Sequence, residues 1–475
     1  MGLLVLNVDH LPVHLLGPYG NTSVPTPTLN SWAARGLTAD AVFQNGIGDS
    51  TPATSSLAAF RRRADLCLSP GNEGRSVWPW CPTEPDDDSI ESLVPTCSAS
   101  RLAKTWEATS VAKYLERALS KWTEAILPSD AMVWLDLPLF SGPWDAPLAW
   151  RHYLAGDDDP EVYTDLEPPY LVLPSAGFGG LFIDDSVDPD LRLSYEHAAG
   201  AMIMLLDHAC EWLHACVAAM PQGRETSILL TAESGYSLGE HFGIGSFPDR
   251  TWAEEAHVPM ILFMGAAGLY PARIPSIMSQ QQCLNLWVSE TSQRPALLNR
   301  LEATSDYDRI VEQSLSHWSK LTSERFDGCG ALREPTNDRG EIHDLVPKYA
   351  VISRSPNQIA IRTQTWSFVW KVRQAPHLFV RPDDRFEQND VASRCPELVA
   401  NIQWYLPELL AYFSNERRVC FPEFLLETWH QACALLSQEG RAPDQATWEQ
   451  RLATQPNGSL LTRAELPELL WAEVT

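Results

Sequence analysis

Short apolar runs that stop abruptly at small and polar residues recur along the first half of this chain. Leu3 to Val8 ends at Asp9-His10-Leu11-Pro12. Ala131 to Leu137 ends before a proline-rich stretch. Ile228-Leu229-Leu230-Thr231 runs into Ala232-Glu233-Ser234-Gly235, and Val258 to Phe263 follows. Runs of this length without alternation are the pattern of strands covered on both faces, as in a parallel sheet. Between them, apolar residues return at helical spacing. Leu29, Trp32 and Ala33 share one face, with Thr28 as N-cap and Gly36 as stop. Val111, Leu115, Ala118, Leu119, Trp122 and Ile126 form a second face. Tyr195, Ala198, Met202, Leu205, Leu206, Ala209 and Leu213 mark a long amphipathic helix. Strands alternating with helices predict an α/β fold with a large, mostly parallel central sheet flanked by helices. Such sheets carry their chemistry at the carboxyl ends of the strands.

The pattern changes near 330–345, where the chain turns polar. Gln358-Ile359-Ala360-Ile361-Arg362-Thr363 and Trp366-Ser367-Phe368-Val369-Trp370-Lys371 then alternate as antiparallel strands do, and a helix is expected near 396–412. The expected organisation is therefore a domain over 1–335, a small α+β subdomain over 336–415 and a helical extension over 416–475. Residues 64–104, with Asp86-Asp87-Asp88, read as an irregular acidic loop, and 142–190 shows little periodicity.

Composition narrows the function classes. The formal net charge is −26 over 475 residues, which disfavours nucleic acid, anionic membranes and polyanionic glycans as partners. The ten cysteines form no CxxC or zinc-like cluster and read as buried free thiols. No uninterrupted apolar run reaches the roughly 18 residues of a membrane span. The first residues look like a strand rather than a leader, so a cytoplasmic location is the expectation.

Several segments resemble the sulfatases of the alkaline phosphatase superfamily. Thr26-Pro27-Thr28-Leu29-Asn30 with Ala33 and Gly36 is similar to the run Thr-Pro-Asn-Leu-Asp-x-Leu-Ala-x-x-Gly. Leu238-Gly239-Glu240-His241 matches the Leu-Gly-Glu-His that follows the metal-binding strand. The strand pair from Gln358 to Lys371, with Glu387 and Asn389 beyond it, resembles the small C-terminal subdomain. The resemblance covers about 400 residues in the right order. It implies hydrolysis of small-molecule sulfate or phosphate esters by a formylglycine nucleophile and a divalent cation, usually calcium.

Carried over residue by residue, the chemistry is incomplete. The family's opening Asp-Asp pair is Asp9-His10 here, and its second pair is Glu233-Ser234. These four are the candidate metal ligands, although imidazole suits zinc or manganese better than calcium. A simpler reading has Asp9 capping a loop and Glu233 bonding to backbone. Ser50 stands at the nucleophile position in Ser50-Thr51-Pro52-Ala53-Thr54, with Thr54 in place of the signature Arg and Arg61 at the spacing of its continuation. The simpler reading of Ser50 is an N-cap. Ser141 occupies the place of the catalytic His, in Phe140-Ser141-Gly142-Pro143-Trp144. Arg250 falls near the late Lys; as an arginine it cannot act as a general acid, and its simpler reading is solvated surface. The family's Gly-Lys-Trp-His element has no counterpart.

Ser50, Ser141, Arg61 and Arg250 are thus the candidate catalytic positions of a pocket whose losses compound. The chain is read as a sulfatase-like protein with lost or much reduced activity and a binding or regulatory role. The alternative is an ester hydrolase with a rearranged site, using Ser50 and a cation at Asp9, His10 and Glu233. A third reading takes Ala232-Glu233-Ser234-Gly235-Tyr236 as a nucleophile elbow, but that motif wants a glycine where Tyr236 stands.

Overall fold

A computed structural model describes residues 2–44, 56–69, 102–156, 180–284 and 350–403, with short breaks inside the last two spans, and two three-residue strands in the tail. The chain forms two compact units. One is Met1–Thr291 with Ser353–Pro356, the other Ser292–Ile352 with Asn357–Thr475.

The first unit is built on a central sheet. Its elements are β1 (Leu3–His10), α1 (Pro27–Arg35), β2 (Leu37–Phe43), α2 (Ser56–Arg61), β3 (Leu66–Leu68), α3 (Ser110–Glu124) and β4 (Met132–Leu137). They continue with α4 (Leu148–Leu154), β5 (Gly180–Phe182), α5 (Pro189–Ala219), β6 (Ser227–Ser234), β7 (Ser237–Leu238), β8 (Gly243–Gly245), α6 (Ala253–Ala256), β9 (Met260–Phe263) and β10 (Ala272–Ser279). The sheet order is β10-β2-β9-β6-β1-β4-β3, and β5-β8-β7 form a separate small sheet. β6, β1, β4 and β3 run parallel to one another, as do β10 and β2. β9 runs antiparallel between β2 and β6. The expected mostly parallel sheet is therefore present, with one reversed strand. The apolar runs sit where their patterns place them, since Leu4, Val5, Leu6, Val8, Ile228, Leu229 and Leu230 are almost fully buried.

Four local expectations change. Thr28 is not an N-cap, because α1 begins one residue earlier at Pro27. Its amide and that of Leu29 donate instead to Asp207 of α5, at 3.1 and 2.8 Å. Asp207 thus supplies from another helix the acceptors that an N-cap supplies locally. Gly36 does end α1, but in an extended conformation. The need for glycine is proximity, because a Cβ there would lie 2.1 Å from the Leu262 carbonyl oxygen. α3 stops at Glu124, so Ile126 is fully exposed instead of lying on the helical face. Leu66–Leu68 is an edge strand within what reads as an irregular loop.

α5 is apolar nearly all round rather than amphipathic, with Ala198–Ile203 buried without a break. By length and composition it could cross a membrane. In this unit it is a core helix: α4 approaches so closely that a Cβ on Gly200 would meet Leu154, and Asp207 near its middle holds α1. Among the described residues, Cys67, Cys210, Cys216, Cys283 and Cys395 are free thiols.

β11 (Ala350–Arg354), whose last two residues belong to the first unit, precedes β12 (Gln358–Thr363), β13 (Trp366–Lys371) and β14 (His377–Val380) of the second. β12 and β13 pair antiparallel as expected, with Ile359 opposite Trp370, and β14 adds to β13 with Leu378 opposite Phe368. Beneath them Arg362 binds Glu387 through two bonds of 2.6 and 2.8 Å, both side chains fully buried. The described part of the tail is a two-stranded ribbon, β15 (Arg418–Cys420) with β16 (Leu460–Thr462), rather than a helix. The rest of 416–475 lies outside the described residues.

Two predictions follow from these buried carboxylates. Asp207→Ala should lower stability by about 1–2 kcal/mol, because two helix-end amides lose their acceptor, and Asp207→Asn should cost less. Urea denaturation reads both. Burial pushes the Glu387 carboxyl up, but Arg362, helped by Ser367 and Arg381, outweighs it and holds the net value below the ordinary 4.5. A depressed carboxyl contributes stability that is complete above its unfolded value and is lost as pH falls through its folded value. Melts taken from pH 6 downward should therefore show a loss beginning below about pH 4.5 that Glu387→Gln does not share.

Candidate active site

The parallel register brings three strand ends together. His10 at the end of β1 lies opposite Ser234 at the end of β6, and Val8 lies opposite Leu137 at the end of β4. The residues expected at the site from β1, β4 and β6 are thus neighbours.

Asp9 is 1% exposed and fully engaged. Oδ1 accepts backbone N–H bonds from His10 (2.8 Å), Leu139 (3.0 Å) and Phe140 (3.1 Å). Oδ2 accepts from the Ser141 amide (2.6 Å) and from the Ser141 hydroxyl. A carboxylate offers about four lone-pair sites, so five donors saturate it. Asp9 therefore clamps the loop after β4 onto the end of β1. Ser141, at the place of the expected general acid, is one of the clamped donors.

His10 bonds through Nδ1 to Ser234 Oγ at 2.5 Å. Burial holds its imidazole below the ordinary value of 6.5, against the opposing pull of Asp9. Ser234 Oγ also lies 3.0 Å from the Gly235 carbonyl oxygen, and the Ser234 carbonyl accepts from the Leu11 amide at 2.9 Å. Glu233 is half-buried on β6. Behind this group lie Tyr236, Phe140 and Trp144, with ring centroids 4.8 to 6.0 Å apart. β6 leads through a two-residue link into β7 and not into a helix, so the nucleophile-elbow geometry is absent here.

Two candidate catalytic residues sit in structural networks. Arg61, at the end of α2, pairs with buried Asp136 of β4 at 2.9 Å. Asp136 also accepts from Asn7 (2.9 Å), Trp134 Nε1 (2.6 Å) and Ser69 (2.5 Å). Arg250 is 7% exposed and not solvated surface. Its guanidinium stacks on Phe247 (4.1 Å) and Phe182 (5.0 Å), donates to the His241 carbonyl (3.1 Å) and lies 3.9 Å from Glu255. Cation–π contact and a nearby carboxylate fix it in place. Ser50 lies outside the described residues.

The Leu-Gly-Glu-His segment is framework. Glu240 accepts from the Leu238 amide (2.7 Å) and approaches His14 (3.2 Å). His241 stacks flat on Trp252 at 4.0 Å and bonds to buried Glu254 at 2.6 Å. Burial pushes the Glu254 carboxyl up, and His241 opposes it. Gly235 is required by a close approach, since a Cβ there would fall 1.9 Å from the Glu254 carbonyl oxygen. Asp207, Asp136 and Glu254 have no motif and were not legible as key residues. Their only signal is a charge inside an apolar or helical pattern.

The donor set does not fit a calcium-like cation as it is arranged. Such ions take six to eight oxygen ligands. Both Asp9 oxygens are occupied by amide and hydroxyl protons, and His10 is bonded to Ser234. Among the described residues no three His, Cys, Asp or Glu side chains converge. Asp9→Ala should strand four amides and a hydroxyl in a buried place. At about 1–3 kcal/mol for each unsatisfied group, partly relieved by water, the loss should exceed about 3 kcal/mol in urea denaturation.

No family profile and no curated protein sequence matches this chain. Solved structures do. A phosphonate monoester hydrolase of Agrobacterium radiobacter superposes with a TM-score of 0.53 at 13% identity, covering 89% of this chain and 98% of that one. A phosphonate monoester hydrolase from Silicibacter pomeroyi gives 0.51 at 12% identity over 89% and 98%. A protein described as a sulfatase from Bacteroides thetaiotaomicron gives 0.50 at 12% identity over 87% and 93%. At these identities the likeness is one of fold.

Proposed function

We propose that this chain, which has the fold shared by sulfatases and phosphonate monoester hydrolases of the alkaline phosphatase superfamily, has given up their cation-dependent ester hydrolysis. Toward sulfate and phosphate esters its role is then binding or regulation on a hydrolase scaffold. One observation carries the reading: Asp9, the first carboxylate of the expected cation site, has both oxygens taken by five protein donors. The neighbouring changes agree with it. Ser141 stands where a proton-donating His is expected and donates to Asp9. Arg61 is held by Asp136 and Arg250 by aromatic rings. Oxyanion-type stabilisation is worth roughly 3–4 kcal/mol per donor, so losing several removes useful rate.

Thermal melts with excess calcium, manganese, zinc or EDTA test the reading. A cation at a hundred times its Kd adds about 2.7 kcal/mol to the stability of a folded state that binds it. The expected result is one midpoint under all four conditions and no turnover of sulfate or phosphate monoesters. A cation-dependent rise that disappears in Glu233→Ala would overturn the proposal. It would restore the rearranged hydrolase, with Ser50 as nucleophile and a cation at Asp9, His10 and Glu233.

A further inference from the structure

We propose that Ser234 and His10 form a metal-independent nucleophile–base pair that accepts the acyl group of a small, uncharged ester. The pair needs neither a cation nor a formylglycine, so it stands apart from the reading above. Its base comes from a different strand, β1, and is invisible to a motif search around Ser234.

The geometry has three parts. The register of β1 against β6 sets His10 and Ser234 side by side, with Nδ1 and Oγ 2.5 Å apart. The hydroxyl carries one proton and has two acceptors in reach, this nitrogen and the Gly235 carbonyl at 3.0 Å. The imidazole nitrogen is the closer and the more basic acceptor, so in the proposed pair the hydroxyl donates to Nδ1 and the ring carries its own proton on Nε2. The main chain on both sides is pinned. The Ser234 carbonyl accepts from Leu11, the Gly235 amide donates to Glu255, and the His10 amide donates to Asp9, which five donors hold still. Nucleophile and base are thus oriented before any ester arrives, which is where much of the benefit of proximity lies.

The step balances without a further reactant. Ser234 Oγ forms a bond to the ester carbonyl carbon while its proton passes to His10 Nδ1. The carbon–oxygen bond to the alcohol breaks, and the alcohol leaves with that proton. Water then releases the acid by the reverse route. The surroundings select the substrate class. Ser234 is only 9% exposed, and the Tyr236 ring, packed on Phe140 and Trp144, lies 6.3 Å from the His10 ring, so the acyl group must be small. The Asp9 carboxylate acts on His10, and the chain carries a net charge of −26, so anionic sulfate and phosphate monoesters are disfavoured relative to neutral esters.

The test treats the whole purified protein, in EDTA, with a small alkyl fluorophosphonate, followed by peptide mass spectrometry. Labelling forms an Oγ–phosphorus bond, expels fluoride and sends the serine proton to His10. The expected result is one modified serine, Ser234, with the label absent in Ser234→Ala and formed about 100-fold more slowly, or slower still, in His10→Gln. Folded wild-type protein left unlabelled at Ser234, or labelled there equally fast in folded His10→Gln, overturns the proposal. The wild-type map needs no variant. The ¹⁵N shifts of the His10 ring supply a second readout that survives a variant that fails to fold. A proton on Nε2 supports the pair. A proton on Nδ1, donated to Ser234 while the hydroxyl turns to Gly235, overturns it.

Discussion

The end of the central sheet depends on one carboxylate meeting its donors. Asp9 gathers the first amides after β4, the amide of its own neighbour and the Ser141 hydroxyl. Buried amides must find acceptors or incur a large desolvation cost. The loop after β4 is therefore shaped by where Asp9 sits, and β1 and β4 end at a common level. The same loop brings Phe140 and Trp144 against Tyr236, which in turn packs the apolar side of the strand ends. A divalent cation could organise converging strand ends by collecting carboxylates. Here hydrogen bonds within the protein do the collecting, and His10 with Ser234 joins the third strand.

The same device recurs elsewhere. Asp136 collects Asn7, Trp134, Ser69 and Arg61, and so ties α2 and the β3 edge to β4. Asp207 collects two amides of α1 from the middle of an apolar helix. Each carboxylate is surrounded by donors rather than left as a bare charge, which is the condition for burying it at all. An overall excess of acids on this chain thus includes several that never meet solvent.

The α/β alternation was legible because buried strands and helical faces leave different periods in the sequence, and Leu3 to Val8 or Ile228 to Thr231 allow only one of them. The meeting of Asp9, His10, Ser141 and Ser234 was legible through the resemblance, which orders the strands that carry them. What they do to each other was not. Whether Asp9 faces an ion or a row of amides depends on the path of residues 138–141, and no side-chain pattern encodes that. Thr28 misled because capping chemistry reads locally, whereas the acceptor came from a residue 179 positions away. Arg250 misled because part of its hydrophobic cover, Phe182, comes from a strand far away in sequence, while Phe247 turns back onto it from three residues upstream.

The reversed strand β9 has a consequence for how such a site changes over time. Because it runs against β6, its last residue, Phe263, lies opposite Ile228 near the start of β6, and its earlier residues lie farther along that strand. The chain from Gly235 to Pro259 therefore leaves the sheet and returns to it on the same side, without crossing the core. That single excursion holds Tyr236, the Glu240–His241 framework, Arg250 and Glu254. Polypeptide arranged this way can be rewritten as one block while the layers beneath it keep their fit. An α/β scaffold of this kind could so exchange its chemistry by local drift at one rim, with its architecture intact.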